Sequence, residues 1–315
     1  QQEIYWQNYL KGVEENTLLP FVESTSERTK GAGAFDTFSL VLDEEFTSSI
    51  GKYAQQNRLT VNTLIQGTWS YLLHNYTGKK DIVYGVIVSG RPDDLSGIEH
   101  KVGMYINTLP LRSVLNKEEK ITQWLQNIQS HQVSSRHHQY TPLNEIQGWT
   151  EVSGDLFDSI LVFENYPVSE IVNSRQWSLK VENMKMKEQT NYPLALIVGS
   201  AERIIINFRY NPGILKKEYV QQISEHIKYV LLQIIEKENK NLKEINLLSK
   251  EEKHKLLSEF NSIEKKSSDI KNVIALFEEQ AAKNPDKTAL VFEDRKYSYK
   301  ELNEQSNQLA HYLQS

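Results

Sequence analysis

DIVYGVIVSGRP, residues 81–92, decides the fold. Its near-continuous β-branched run from Ile82 to Val88 ends in Ser89, Gly90, Arg91 and Pro92. A run without polar alternation reads as a strand buried on both faces, and the Gly and Pro after it as a turn. Arg91 therefore stands at the mouth of a buried strand. There it either closes a salt bridge at the sheet end or faces a cleft.

Immediately upstream lies the clearest helical pattern in the chain. Val61, Leu64, Ile65, Thr68, Trp69, Leu72, Leu73 and Tyr76 recur at helical spacing, with Thr60 placed as N-cap and Gly78 as stop. His74 within it reads as a packed or surface residue. Before this, a short N-terminal helix runs towards Gly12, Glu23 to Gly33 reads as loop, and Phe35 to Leu42 as a strand leading into a helix from Asp43.

Downstream, the loop Asp93 to Lys101 leads into VGMYINTLPLR, residues 102–112, a strand that Pro110 should interrupt. A helix with Ile121, Trp124, Leu125 and Ile128 on one face follows. Strands are expected at Leu156 to Phe163, Leu194 to Val198 and Ile204 to Tyr210, and a closing helix at Tyr219 to Ile235. The pattern is that of a mixed α/β domain over residues 1–240.

Residues 241–268, rich in Lys, Glu, Asn and Ser, read as a linker. From 269 to 315 an amphipathic helix, the strand ALVFE, the strand KYSY and a Ser298/Glu301 capping box open what is too small to be a whole domain. The chain starts without Met and ends inside a helical pattern, so both ends are expected to be cuts in a longer polypeptide.

Composition bounds the function. In 315 residues, 24% charged and net −5, acids and bases are interleaved, which disfavours nucleic acid or an anionic membrane as partner. No apolar run approaches the roughly 20 residues of a membrane span. Zero Cys excludes disulfides, thiolate metal sites and a cysteine nucleophile, and fits a cytoplasmic address. The sequence holds no GxSxG, GxGxxG, Walker lysine loop or HExxH pattern. His137 and His138 are the one adjacent histidine pair, but no carboxylate stands at metal-ligand spacing, so a solvated or structural pair is expected. No metal site is expected.

The order of segments nevertheless resembles a family. YWQNYL, DIVYGVIVSGRP, VGMYINTLPLR, HHQYTPLNEI, ILVFENYP, NYPLALIV and FRYNPGIL look like the C-terminal lobe of a condensation domain of nonribosomal peptide synthetases. The tail NVIALFEEQAAKNPDKTALVFEDRKYSYKELNEQSNQLAHYL is similar to the opening of an adenylation domain, without that family's later Gly-rich nucleotide motif.

The resemblance implies a chloramphenicol acetyltransferase-like lobe, a mixed sheet with flanking helices. The implied reaction is amide formation between two reactants held as thioesters on phosphopantetheine arms of peptidyl carrier domains. No cofactor is bound directly. The implied partners are an N-terminal lobe, the carriers and the rest of the adenylation domain.

The family's catalytic His-His-x-x-x-Asp-Gly motif is missing from this sequence, since Gln139, Tyr140, Thr141, Pro142 and Leu143 follow His138. No catalytic residue is therefore expected, and the lobe alone should be inactive. Ser89, Gly90, Arg91, Gly103 and Asn107 are expected at the substrate tunnel, Arg91 holding a carboxylate of the other lobe and Asn107 holding backbone or a substrate amide. An apolar surface is expected where the other lobe would pack. A docking lobe without catalysis and an epimerisation-domain lobe of the same fold are the alternatives.

Overall fold

The computed structural model describes residues 1–22, 34–91, 96–164, 190–236, 240–259 and 272–315. Two compact units divide the chain, Gln1–Lys250 and Glu251–Ser315. The loop expected at 23–33 and most of ENYP at 164–167 fall outside the described residues.

Among the described residues, the first unit is built on six strands: β1 (Asp36–Val41), β2 (Asp81–Val88), β3 (Asn107–Val114), β4 (Ser159–Glu164), β5 (Leu194–Ser200) and β6 (Ile204–Tyr210). They form one sheet in the order β1-β6-β5-β4-β2-β3. β2 pairs parallel with β4 and β4 with β5, while the other pairs are antiparallel, so the sheet is mixed. The 81–88 run is an interior strand, with Ile82 to Val86 buried as its unbroken hydrophobicity requires.

Among the described residues, six α-helices accompany the sheet: α1 (Gln2–Tyr9), α2 (Glu44–Gln56), α3 (Val61–Thr77), α4 (Ile121–Arg136), α5 (Leu143–Gly148) and α6 (Lys217–Glu236). α3 keeps both expected ends. The Thr60 hydroxyl accepts from the Thr63 N–H, and Gly78 stops the helix at φ 72°. Buried almost all round, α3 lies at the centre of the core.

Polar contacts tie helices to one face of the sheet. The Trp69 indole donates to Ser159 (3.3 Å), the Tyr84 hydroxyl to the Gln66 carbonyl (2.8 Å), and the Trp124 indole to Ser113 (3.0 Å). Because strand side chains alternate, Arg112 points away from the Ser113 face, and its guanidinium reaches the carbonyls of Tyr9 and Lys11 at the end of α1. Among the described residues no helix is long and apolar enough to cross a membrane.

Two expectations need correction. Residues 102–106 are not strand, and β3 runs from Asn107 straight through Pro110. Proline is tolerated because β3 is the sheet edge and Pro110, opposite Gly85, needs no partner for the N–H it lacks. The alternate positions of that edge are closed too: the Thr108 N–H donates to the Asn107 amide oxygen and the Arg112 N–H to the Tyr9 hydroxyl. Residues 241–250, expected as linker, belong to the first unit. Leu242 and Ile245 are buried, and Gln233 of α6 exchanges two hydrogen bonds with the Asn246 backbone.

The second unit holds α7 (Val273–Lys283), the hairpin β7 (Thr288–Phe292) and β8 (Arg295–Ser298), and α8 (Tyr299–Gln314). Asn272 caps α7, and the Ser298/Glu301 capping box opens α8 as its spacing predicts. Its apolar residues stay largely exposed, Phe292, Tyr312 and Leu313 among them, so the unit has little core of its own.

Candidate functional site

Ser89, Gly90 and Arg91 leave the end of β2, and Asn107, opposite Val88, begins β3. Gly103 lies in the segment between. The five expected residues therefore meet at one end of one strand pair.

Three of them converge on Tyr105, which sequence reading assigned to a strand. The Arg91 guanidinium lies 4.5 Å from the centre of the Tyr105 ring and donates through Nη1 to the carbonyls of Ile98 and of Lys101 (3.0 Å). Gly90, at φ 64°, is so close that a Cβ there would lie 1.6 Å from the Tyr105 carbonyl oxygen. A Cβ on Gly103 would stand 2.9 Å from the Tyr105 ring. Arg91 thus braces its own loop through backbone carbonyls. Only the fold brings Gly90 and Arg91 onto Tyr105. Ser89 is exposed, and its hydroxyl accepts a long 3.4 Å contact from the Arg91 N–H.

Asn107 fastens the next loop. Its amide group donates to the carbonyls of Gln139 (2.9 Å) and Thr141 (2.8 Å). In the same loop His138 stacks on Tyr5 with ring centres 3.9 Å apart, and its Nδ1 shares the Gln2 side-chain oxygen with the Thr141 hydroxyl. An amide oxygen only accepts, so Nδ1 is the donor. Desolvation, followed by the neighbouring His137, lowers the His138 pKa. His138 is thus knitted into structure, while His137, the C-cap residue of α4, is exposed.

The segment ending at Asn107 alternates. Gly103, Tyr105 and Asn107 face the brace, whereas Val102 and Met104 are fully exposed (102% and 100%) and Ile106 is 68% exposed. Three neighbouring apolar side chains held out in water by a braced backbone form an edge suited to being covered. Among the described residues no group of three His, Asp or Glu side chains could hold a metal ion. What the site offers is shape and apolar surface.

A second cluster supports β3 from below. The Arg112 guanidinium bonds the Asp81 carboxylate through Nε (2.9 Å) and Nη2 (2.6 Å), and the carbonyls of Tyr9 and Lys11 through Nη1. His131 meets the Tyr9 ring edge-on at 5.6 Å, and burial, then the Arg112 charge, lower its pKa. A histidine with a lowered folded pKa is protonated more readily when unfolded, so stability falls as pH drops through the unfolded value of about 6.5. Thermal melting between pH 7.5 and 5.5 should show this loss, and His131→Gln should flatten the profile; an unchanged slope would contradict the assignment.

With this geometry in view, the relatives are informative. The condensation-domain family model matches residues 1–257 and the AMP-binding-enzyme model residues 277–315. A linear gramicidin synthase polypeptide of Brevibacillus parabrevis is 36% identical over 313 residues, 99% of this chain and 4% of that protein. Bacitracin synthase 3 of Bacillus licheniformis is 34% identical over 320 residues, 99% of this chain and 5% of that protein. The chain thus spans a small part of its relatives' length.

A solved four-domain nonribosomal peptide synthetase bound to AMP and glycine superposes with a TM-score of 0.76 at 15% identity, covering 100% of this chain and 25% of the other. The first condensation domain of the CDA synthetase gives 0.58 at 17% identity, covering 79% of this chain and 52% of that one. Both share the fold. Family match, motif order and full-length similarity to synthetase polypeptides agree: the chain belongs to the condensation-domain family of nonribosomal peptide synthetases and carries after it the beginning of an AMP-binding, or adenylation, domain.

Proposed function

We propose that the first unit is the C-terminal half of a condensation site, which forms the amide bond between a donor acyl thioester and the amine of an acceptor aminoacyl thioester. The observation that carries this is the braced apolar edge. Val102, Met104 and Ile106 are presented outward while Gly90, Arg91, Gly103 and Asn107 hold the strip from behind. In this reading the strip packs on a complementary N-terminal lobe, and Ser89 to Arg91, Gly103 and Asn107 shape the adjoining wall of the substrate tunnel.

The step balances without a cofactor on this chain. The acceptor nitrogen attacks the donor thioester carbon, a C–N bond forms, the C–S bond breaks, and the proton lost from nitrogen restores the thiol of the donor's arm. Phosphopantetheine enters as the tether on each carrier domain, as a substrate arm. The base belongs to the other lobe, since the His-His-x-x-x-Asp-Gly motif does not occur in this sequence. This half contributes alignment and exclusion of water, and positioning of two tethered reactants supplies several kcal/mol of rate enhancement. The second unit supplies the opening of an adenylation domain. We place the assembly in the cytoplasm.

The test uses donor and acceptor carriers loaded as thioesters, incubated with the chain alone or with the N-terminal half of a related condensation domain. Mass spectrometry should find amide product only in the second mixture. Product from the chain alone would overturn the division of labour; a bound N-terminal half that yields no product would favour a docking lobe instead.

A further inference from the structure

Away from the braced loop, α2 and α6 enclose an open groove of about 780 Å³. Its walls are regular. On α2 it is lined at residues 45 and 46, 49, 52 and 53, and 56; on α6 at 225, 228 and 229, 232, and 235 and 236. Both series repeat every three to four residues over about three turns, so the groove runs for roughly 17 to 20 Å between two helical ridges. A third helix of about three turns has the length and surface period to fill it.

The floor is apolar. Phe46, Tyr229 and Ile235 are half-buried, Tyr53 is buried, and Leu232 is exposed at 38%. The rim is charged and idle: among the described residues, Glu45, Glu225 and Glu236 engage no cation, and Lys52 and Lys228 engage no acid. With Asp43, whose carboxylate accepts from the Phe46 N–H, four acids face two lysines. An apolar floor with surplus negative charge selects a ligand that is apolar along one stripe and basic beside it.

We propose that this groove is a docking site for a short cationic amphipathic helix of a partner protein. The partner helix lays an i, i+3/i+4, i+7 apolar stripe against Phe46, Tyr229 and Leu232 and sets Lys or Arg beside Glu45, Glu225 and Glu236. The proposal is independent of the condensation reading, because no residue of the braced loop lines the groove.

Two fluorescein-labelled 14-residue helical peptides test it by anisotropy with the 315-residue chain. They carry the same Leu stripe and differ only in having Lys or Glu at the flanking positions. The Lys peptide is expected to bind at least tenfold tighter than its Glu twin. Leu232→Glu, at a solvent-facing position, should weaken it at least tenfold with an unchanged melting temperature, and Glu45→Lys with Glu225→Lys should reverse the preference. Equal binding of the two peptides, or binding indifferent to Leu232→Glu, would overturn the proposal. A groove that takes up a small apolar dye but neither peptide would mark a small-molecule cavity and overturn it equally.

Discussion

Arg112→Ala is expected to lower the melting temperature of the first unit by about 5–15 °C. The substitution removes a guanidinium whose side chain is only 17% exposed, leaving the Asp81 carboxylate, itself 29% exposed, without its cation. It also strips the carbonyls of Tyr9 and Lys11 of their donor. Breaking a buried pair costs about 3–5 kcal/mol; partial exposure here brings the expectation to about 2–4 kcal/mol. At roughly 2–4 °C per kcal/mol for a unit of this size, the quoted shift follows. Asp81→Ala combined with Arg112→Ala should cost less than the sum of the single changes, because the two share one interaction. A shift below 1 °C would show that α1 and β3 are held by apolar packing alone.

Gly90→Ala should unseat the braced loop. The added Cβ would lie 1.6 Å from the Tyr105 carbonyl oxygen, which belongs to backbone and has no rotamer to escape into. The residue must also keep φ at 64°, a left-handed conformation that costs an L-residue about 1–2 kcal/mol. Together with about 1–3 kcal/mol for overpacking, this exceeds what a surface loop can absorb, so residues 96–106 should rearrange while the sheet survives. Amide exchange in 98–106 is expected to rise at least tenfold with little change in β2 below Val86. Unchanged exchange in the loop would mean that Gly90 and Tyr105 are not the brace described.

Much of this architecture was legible along the chain because it is local. The caps of α3, the unbroken β-branched run of β2, and the 298/301 capping box each depend on residues within a few positions, and each holds. Pro110 misled because its tolerance depends on β3 being an edge, which is a property of the whole sheet. The burial of Leu242 and Ile245 was hidden by the charged residues around them.

The site shows the same division. Motif order brought Ser89, Gly90, Arg91, Gly103 and Asn107 into one region, but their partners lie along loops or across the fold. Arg91 reaches the carbonyl of Lys101 ten residues on, Asn107 reaches Thr141, and Arg112 pairs with Asp81 only through the β2/β3 register. Hydrogen bonds to backbone carbonyls leave no trace in residue type. The exposed alternation of Val102, Met104 and Ile106 is invisible for the same reason, since apolar residues are ordinarily read as inside.

The central claim is that this alternating strip is the face a complementary lobe covers. Isothermal titration of the chain with the N-terminal half of a related condensation domain tests it directly, comparing the native chain with Met104→Asp. Burying a Met side chain is worth about 1.5–3 kcal/mol, so the native chain should form a complex that Met104→Asp weakens at least tenfold while its own melting temperature stays the same. Equal affinity of the two chains, or no complex with either, would contradict the account.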